Sequence, residues 1–412
     1  MSAVKLGFLV AVLFAIAIVN DWSAPDRLII ILVVTLFIAW VWTRFSLQRL
    51  GLRRALSMDR VRAGEWVVED ISLSNLSILP KMWVEIRDLS SLPGHEAGRV
   101  VSLGPKRSST WSARTRCERR GKYRLGPVSL HSGDPFGLFS QRRMVPATHE
   151  LIVYPAQVDV SDIPIPLANM MGGRSTNAQT AMAAHTVAGI REYATGDPLN
   201  RISWNATARL GRMMVKEFDP EPTSDIWIIL DLNEPDHEMG GSPEAAARPG
   251  RVRHHDVSQE YAIAVAGSLA EKCLNDGRKV GFIVNRSIPI RLDADSTHRQ
   301  WFRIFETLAV ASAFGQRSIS EAIQVDSTRF TRNSGLMVVT SRPAGDWIDA
   351  ARSLVTRQVP VTAVLIPEPG GHLDGEFDRL AEELVSAHVH VSSLKPGERS
   401  AATPATAFVV GA

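Results

Sequence analysis

The side chains most able to bind an anion or a partner are concentrated in residues 189–217. This stretch carries nearly balanced charges: Arg191, Arg201, Arg209, Arg212 and Lys216 lie among Glu192, Asp197, Glu217 and, just beyond, Asp219. An arginine guanidinium presents a planar set of donors that matches a carboxylate or a phosphate. Two interpretations follow. The charges form a partly buried ion-pair network at a domain junction, or Arg201 and Arg209 bind the carboxylate or phosphate of a partner.

A helix followed by two strands is predicted to position these charges. Asp197 can accept hydrogen bonds from the free amides of a helix start, and Pro198 suits the first helical position. Apolar residues then recur at helical spacing, and a glycine suited to a left-handed helix end follows them: Leu199, Ile202, Ala206, Leu210 and Gly211. Strands are predicted at residues 213–218 and 225–232.

The same stretch, which we call the signature segment, resembles the signature of a bacterial membrane-protein family known as domain of unknown function 58. The matching residues are Arg191, Tyr193, Gly196, Asp197, Arg201, Ile202, Trp204, Ala208, Arg209, Val215, Lys216 and Glu217. Residues 120–139 resemble the motif that the family carries upstream. The family has no settled activity, so the resemblance implies possible interaction residues and no reaction. These are Arg191, Tyr193, Gly196, Asp197, Arg201, Trp204, Arg209, Lys216 and Glu217.

Length, charge and cysteine content narrow the class of protein. A chain of 412 residues is long enough for two soluble domains and an anchor. The net charge of +3 is mild, and no long basic stripe is interleaved with aromatic residues, so no nucleic-acid partner is expected. Cys117 and Cys273 are too few for a disulfide framework and suit a reducing compartment.

Two apolar runs near the N-terminus, residues 4–19 and 28–42, predict a two-helix transmembrane hairpin. Trp22, Trp40 and Trp42 flank these runs and suit the membrane interfaces. The alternative is a signal peptide followed by a buried segment, but no small-residue cleavage site separates the runs. Arginines without an acid among them follow the second run: Arg44, Arg49, Arg53 and Arg54. By the positive-inside rule, we expect a multi-pass protein of the plasma (inner) membrane with cytoplasmic soluble domains.

Residues 1–54 would then form the hairpin and a basic juxtamembrane segment, and residues 55–160 an all-β sandwich. Short alternating segments predict strands at residues 65–73, 82–88, 100–103, 110–118, 126–131 and 151–154. In the fourth of these, Ala113, Thr115 and Cys117 fall on one face, which predicts a core thiol. The alternative is a reactive thiol activated by Arg116 and Arg119. The basic run at residues 106–124 predicts a solvated sheet face or a face apposed to anionic lipid.

Residues 161–224 are assigned to a linker with the signature segment, residues 225–395 to an α/β domain, and residues 396–412 to a flexible tail. Strands predicted at residues 225–232, 279–285, 336–341, 360–366 and 388–392 alternate with helices predicted at 257–274, 297–313, 346–356 and 375–386. Such alternation predicts a mostly parallel sheet covered on both faces.

The order of these elements resembles a von Willebrand factor A domain. That family holds Mg²⁺ with an acid and two hydroxyls, D-x-S-x-S, after the first strand. The corresponding residues are Asp231, Asn233 and Pro235, so both hydroxyls are replaced and Pro235 offers no side-chain ligand. The resemblance therefore implies a degenerate site, and we expect neither a metal nor a cofactor. Ser341 and Asp346 follow a later strand, from which another ligand could come.

The sequence contains no P-loop, no G-x-S-x-G and no H-E-x-x-H motif, which favours an interaction protein over an enzyme. Members of the resembled family, together with von Willebrand A proteins, are often associated with AAA+ ATPases of the MoxR type. The resemblance therefore implies a membrane-anchored cytoplasmic adaptor that works with such an ATPase, and with other von Willebrand A proteins, in assembly or maturation of envelope components. The alternative is a membrane-surface enzyme that uses the charged signature segment as its site.

Overall fold

The chain divides into two units, Met1–Ala156 and Gln157–Ala412, in a computed structural model. The structure describes residues 23–166, 187–193, 202–218, 225–233, 254–312, 317–367 and 374–395, and it places Phe8 and Val12 in helical conformation. Among these described residues, unit 1 combines a long helix with short strands, and unit 2 combines two sheets with helices.

The long helix of unit 1, α1 (Ser23–Ser46), is the one described helix that is long and apolar enough to cross a membrane. Residues Ile29–Ser46 have a mean hydropathy of 2.1. Apolar side chains are exposed on several sides of α1: Ile30, Ile31, Val33, Val34, Phe37 and Ile38. The second predicted apolar run is thus a helix. The first run lies outside the described residues apart from Phe8 and Val12, so the two-helix hairpin stays a prediction.

The end of α1 is fixed to the strands of unit 1. Leu47, just past the helix, is buried in an apolar core. Buried Lys81 donates a hydrogen bond from its Nζ to the Phe45 carbonyl, and Arg143 Nη1 donates to the Leu47 carbonyl at 3.1 Å. Carbonyl groups at a helix end have no partner within the helix, so these two cations stabilise the junction.

Three sheets form the rest of unit 1. The first, in the order β1-β3-β6, is antiparallel and consists of Leu50–Leu56, Trp66–Asn75 and Ser108–Arg116. The second, β2-β10-β7, consists of Arg60–Arg62, His149–Tyr154 and Gly121–Leu125, with β2 parallel to β10. The third, β5-β4-β8-β9, consists of Arg99–Leu103, Lys81–Asp88, Val128–Gly133 and Ser140–Val145. Alternate side chains of these strands fill two apolar clusters.

The six strands predicted for this region are present, with shifted ends. Ala113, Thr115 and Cys117 are buried as predicted, and burial raises the pKa of the Cys117 thiol to about 11, which is typical of an inert core thiol. Strands β1, β2, β7 and β9 were not predicted. Strand β1 contains Arg54, whose side chain is buried in unit 1 although the charge pattern places it with the juxtamembrane arginines.

The main sheet of unit 2 has six strands in the order β15-β14-β13-β16-β17-β18: Ile290–Asp295, Val280–Asn285, Asp225–Asp231, Ser334–Thr340, Val361–Leu365 and His390–Ser393. All neighbours are parallel except β14 and β15. The helices between the strands are α3 (His254–Asn275), α4 (His298–Val310), α5 (Ile319–Val325), α6 (Ile348–Thr356) and α7 (Asp374–Ser386). Strands β13, β14, β16 and β17 are almost entirely buried, as continuous apolar strands of parallel sheets are.

The mostly parallel sheet and four of these helices were predicted. The antiparallel strand β15 was not, although its sequence, IRLDAD, alternates apolar and polar residues as a half-buried strand does. The short helix α5 was also not predicted. The likeness to a von Willebrand A domain remains a resemblance in the order of elements.

Candidate functional site

Three strands of the main sheet end together and place polar side chains at one edge. Strand β13 lies between β14 and β16, and the three run parallel, so their carboxyl ends meet. They end in Asp231, Asn285 and Thr340. The chain order also reverses at this position, since β14 follows β13 on one side and β16 lies on the other. Open α/β sheets bind ligands at such a reversal, which makes this edge the first candidate site.

The Asp231 carboxylate is fully buried and accepts hydrogen bonds at both oxygens. Oδ1 accepts from the side-chain amides of Asn233, at 2.6 Å, and Asn285, at 3.2 Å. Oδ2 accepts from Thr340 Oγ1 at 3.1 Å and from Arg342 Nε at 3.0 Å. One carboxylate thus receives four donors, one of them a cation.

The two asparagine amides have a fixed orientation. Each amide also donates a hydrogen bond from Nδ2 to the backbone carbonyl of Arg317, which lies just before α5. The distance from Asn285 Nδ2 to this carbonyl oxygen is 2.9 Å. A carboxylate and a carbonyl only accept hydrogen bonds, so the amide nitrogens must face them. The side-chain oxygens, which are the atoms that bind hard cations, are therefore turned away from Asp231.

This donor set does not fit a divalent cation at Asp231. The carboxylate charge is matched by the Arg342 guanidinium, and the neighbouring amides present nitrogen atoms. Ser341 is buried beside the site and Asp346 is exposed. The edge instead forms a polar cluster that connects three strands to the loop before α5, and within it Asn233 Oδ1 and Asn285 Oδ1 are buried without a hydrogen-bond partner among the described residues.

The structure describes part of the signature segment. Strands β11 (Val187–Glu192) and β12 (Met214–Phe218) pair antiparallel, with Arg191 opposite Val215, Ile190 opposite Lys216 and Gly189 opposite Glu217. Tyr193 is half-buried after β11, and its backbone amide donates to the Met213 carbonyl at 2.9 Å. Gly196, Asp197 and Arg201 lie outside the described residues.

The predicted helix start at Pro198 lies outside the described residues, and the described helix does not include Ile202 or Ser203. The helix α2 (Trp204–Leu210) follows Ser203, and Ile202 instead forms a β-bridge with Val215. The predicted apolar stripe through Ile202 and Leu210 is therefore wrong, because Ile202 is extended and Leu210 is exposed. The predicted helix end is confirmed, since Gly211 has a φ of 66° and closes the helix in the left-handed region.

The described side chains of the signature segment lie mostly at the surface. Trp204 is 68 % exposed, and Arg209 is exposed in the last turn of α2. Arg212 pairs with Glu192 at 3.5 Å, and both side chains are exposed. These described charges do not form a buried network.

Unit 1 contains a buried charge cluster that the sequence analysis missed. The Arg54 guanidinium contacts Glu69 through Nε and Asp88 through Nη2, the latter at 2.7 Å. His95 Nε2 lies 2.9 Å from Glu69 Oε2 and 3.1 Å from Asp88 Oδ2, while its Nδ1 lies 2.8 Å from Thr115 Oγ1. Two acids and two bases thus meet in the interior. One sequence signal could have indicated this cluster. Glu69 is an acid on the inward face of β3, in line with the buried apolar residues Val67 and Ile71.

The charges of this cluster are matched internally. Burial opposes charge on His95, but the Asp88 and Glu69 carboxylates outweigh it and raise the pKa of His95 to about 9. Burial likewise opposes charge on Asp88, and the hydrogen bonds from His95, Ser90 and Arg54 outweigh it, so its pKa falls to about 2. Glu69, Asp88 and His95 could offer ligand atoms to a metal ion, but Arg54 contacts both carboxylates and supplies the positive charge instead.

Comparison with known proteins finds a family model that matches part of the chain. The family model described as "Protein of unknown function DUF58" matches residues 189–372. This match begins in β11 and includes the Asp231 edge. A similar curated protein is the uncharacterized protein YeaD of Bacillus subtilis (strain 168), which is 22 % identical over 369 residues, 86 % of this chain and 85 % of that protein.

Two similar solved structures each cover about a quarter of the chain. One is the CARDB domain of PF1109 from Pyrococcus furiosus in complex with di-metal ions. It is 16 % identical, the match covers 26 % of this chain and 94 % of that chain, and the TM-score is 0.19. Another is the human seminal plasma complex of zinc 2-glycoprotein and prolactin inducible protein, with 14 % identity, 25 % and 92 % coverage and a TM-score of 0.19. TM-scores of this size do not support a fold assignment.

Proposed function

We propose that this protein is a membrane-anchored adaptor with its soluble units in the cytoplasm. In this proposal, α1 belongs to the anchor, unit 2 is a degenerate von Willebrand A-like domain, and the partner is a MoxR-type AAA+ ATPase. Their joint task is the assembly or maturation of envelope components. The apolar helix α1 supports the anchor in this proposal.

The surface around α2 is the observation that carries an interaction function. Trp204, Leu210 and Met213 are exposed, and Arg209 and Arg212 flank them. Tryptophan and arginine are enriched at the energetically important positions of protein interfaces, because tryptophan supplies a large apolar area with one donor and arginine supplies several donors. An exposed tryptophan in the signature segment is therefore the natural anchor for a partner.

The contacts of Asp231 support a domain that binds its partner without a metal bridge. The Arg342 guanidinium already balances the charge of the Asp231 carboxylate, so no metal ion is needed there. In this proposal the partner is bound by protein groups alone. The α2 surface provides such groups.

Capture of a purified MoxR-type ATPase by the full-length protein in detergent tests the proposal. Trp204→Ala should reduce capture by at least about tenfold, which corresponds to roughly 1.4 kcal/mol, while leaving thermal melting unchanged. Ile288→Ala, which also removes an exposed apolar side chain from unit 2, is the matched control and should capture the ATPase as the wild type does. Equal capture by the Trp204 and Ile288 variants would contradict the role of α2.

A further inference from the structure

The loop between β3 and β4, with the first residues of β4, exposes a group of large apolar side chains. We call this group the apolar tip: Leu76, Ile78, Leu79, Met82 and Trp83, which are 47 % to 75 % exposed. Soluble proteins expose single apolar residues routinely, but a contiguous group indicates contact with a partner or a membrane.

The tip is held in one conformation by buried polar residues. Asn75 Nδ2 donates to the carbonyls of Leu79, at 2.8 Å, and Gly104, at 2.9 Å. Asn75 Oδ1 accepts from the amide of Ser77 at 3.0 Å, and both side chains are buried. The usual polarity is inverted, since Asn75 and Ser77 lie inside while Leu76 and Ile78 lie outside. The apolar exposure is therefore a feature of an ordered loop.

The tip lies beside the end of α1. The amide of Leu76 donates to the Arg49 carbonyl at 2.9 Å, and Lys81 donates to the Phe45 carbonyl within the last turn of α1. These contacts bracket the tip, because Leu76 and Lys81 lie on either side of Ile78. Any bilayer that α1 crosses therefore has its interface next to the tip.

Basic residues border the tip. The amide of Lys106 donates to the Ser77 carbonyl at 3.2 Å, and the amide of Asn75 donates to the Arg107 carbonyl at 2.9 Å. Lys106 and Arg107 are both exposed. Basic residues near apolar ones match the composition of a membrane interface, where anionic headgroups lie just above the acyl chains.

We propose that the apolar tip inserts into the headgroup and acyl-chain boundary of the bilayer that α1 spans, with Lys106 and Arg107 contacting anionic headgroups. Unit 1 is then fixed at two points, the helix and the tip, and its orientation on the membrane is set. Continuity with α1 favours lipid over a protein occupant. This inference depends on the membrane anchor and is independent of the ATPase partner.

Site-specific labelling of the full-length protein in liposomes of phosphatidylcholine and phosphatidylglycerol tests the insertion. Cys117 and Cys273 are buried, so a single introduced cysteine can be labelled selectively with an environment-sensitive fluorophore. Ile78→Cys reports on the tip. Met58→Cys is the matched control, because Met58 is an exposed apolar residue beyond the opposite end of β1, about 20 Å away along the strand.

The label at residue 78 should emit at shorter wavelength than the label at residue 58, resist aqueous iodide, and be quenched by lipids brominated on their acyl chains. Lys106→Glu with Arg107→Glu should reduce this lipid quenching in anionic liposomes, and much less in phosphatidylcholine alone. Equal iodide quenching at residues 78 and 58 would overturn the inference. Protection from iodide without quenching by brominated lipid would also overturn it, in favour of a protein occupant. Failure of the protein to float with liposomes would instead contradict the anchor itself.

Discussion

Arg342 Nε donates a hydrogen bond to Asp231 Oδ2 at 3.0 Å, across the point where the strand order of the main sheet reverses. The two partners differ in their access to water, since the Asp231 side chain is 0 % exposed and that of Arg342 is 15 % exposed. The arginine can therefore turn towards solvent when its partner is lost, whereas the carboxylate cannot. The pair holds the loop after β16 against the end of β13.

Removing the arginine should destabilise the protein strongly. Arg342→Ala leaves a buried carboxylate without its cation, and breaking a buried pair in this way costs roughly 3 to 5 kcal/mol. The control is Arg352→Ala, which removes an exposed arginine paired with exposed Asp349 and should change stability by less than about 0.5 kcal/mol. Urea denaturation of the purified protein measures both. Equal effects of the two substitutions would contradict a buried role for Arg342.

Divalent cations should not stabilise the wild-type protein through Asp231. A ligand that binds only the folded state raises the melting temperature by mass action. Since Arg342 already compensates the carboxylate, titration of Mg²⁺ or Mn²⁺ should shift the melting temperature negligibly. Saturable stabilisation at micromolar concentrations, abolished by Asp231→Ala, would show that the cluster opens to admit a metal.

Stability should depend on pH through the buried cluster of unit 1. The pKa of His95 is about 9 in the folded protein against 6.5 for the free side chain, so its contribution is complete below pH 6.5 and is lost as the pH rises through 9. The pKa of Asp88 is about 2 against 3.8, so its contribution is complete above pH 4 and is lost as the pH falls through 2. Both contributions are therefore complete only between about pH 4 and pH 6.5.

His95→Gln should flatten the alkaline side of this profile. The shift of His95 corresponds to roughly 3 kcal/mol of stability lost between pH 6.5 and pH 9. Urea denaturation at several pH values should show that loss in the wild type and a smaller slope in the variant. The interval between pH 4 and pH 6.5, where His95 stays charged, gives the internal control. If His95→Gln left the dependence of stability on pH unchanged above pH 6.5, the cluster would not be the cause of the alkaline loss of stability.

Sequence patterns predicted the parts of the fold that depend on local periodicity. Strand β13 is a continuous apolar run and Cys117 lies in strict alternation, so both were placed correctly. The charge contacts were not predictable, because periodicity reports which residues are buried and not which residues meet. Glu69 and His95 are brought together by the packing of β3 against a distant loop. Arg342 reaches Asp231 only because β16 lies beside β13.

The start of α2 shows a different limit. Asp197 and Pro198 have the residue types of a helix start, and the apolar spacing after them fits a helix. Ile202 nevertheless pairs with Val215, since an extended residue in that position joins the small sheet of β11 and β12. A tertiary contact thus overrides local propensity.

The orientation proposed for the anchor rests on the arginines at the end of α1. Arg44, Arg49 and Arg53 are exposed, and Arg54 is internal to the folded unit 1. A reporter that is active only in the cytoplasm should be active when fused after Ala412 and inactive when inserted at Ser23. Changing the three exposed arginines to glutamine should weaken this asymmetry. The opposite pattern of activity would place unit 1 and unit 2 outside the cytoplasm.

The two interpretations of the signature segment predict different stabilities for a variant that lacks one of its arginines. Arg209 is exposed in the last turn of α2, so Arg209→Ala should change the free energy of unfolding by less than about 0.5 kcal/mol while reducing ATPase capture. Arg54→Ala, the matched substitution at a buried arginine, should cost roughly 3 to 5 kcal/mol because it leaves the buried Glu69 and Asp88 carboxylates with His95 as the remaining cation of the cluster. Thermal unfolding and capture measured on both variants separate the interpretations. A large loss of stability in Arg209→Ala would favour the ion-pair network, and a stable variant with undiminished capture would contradict both.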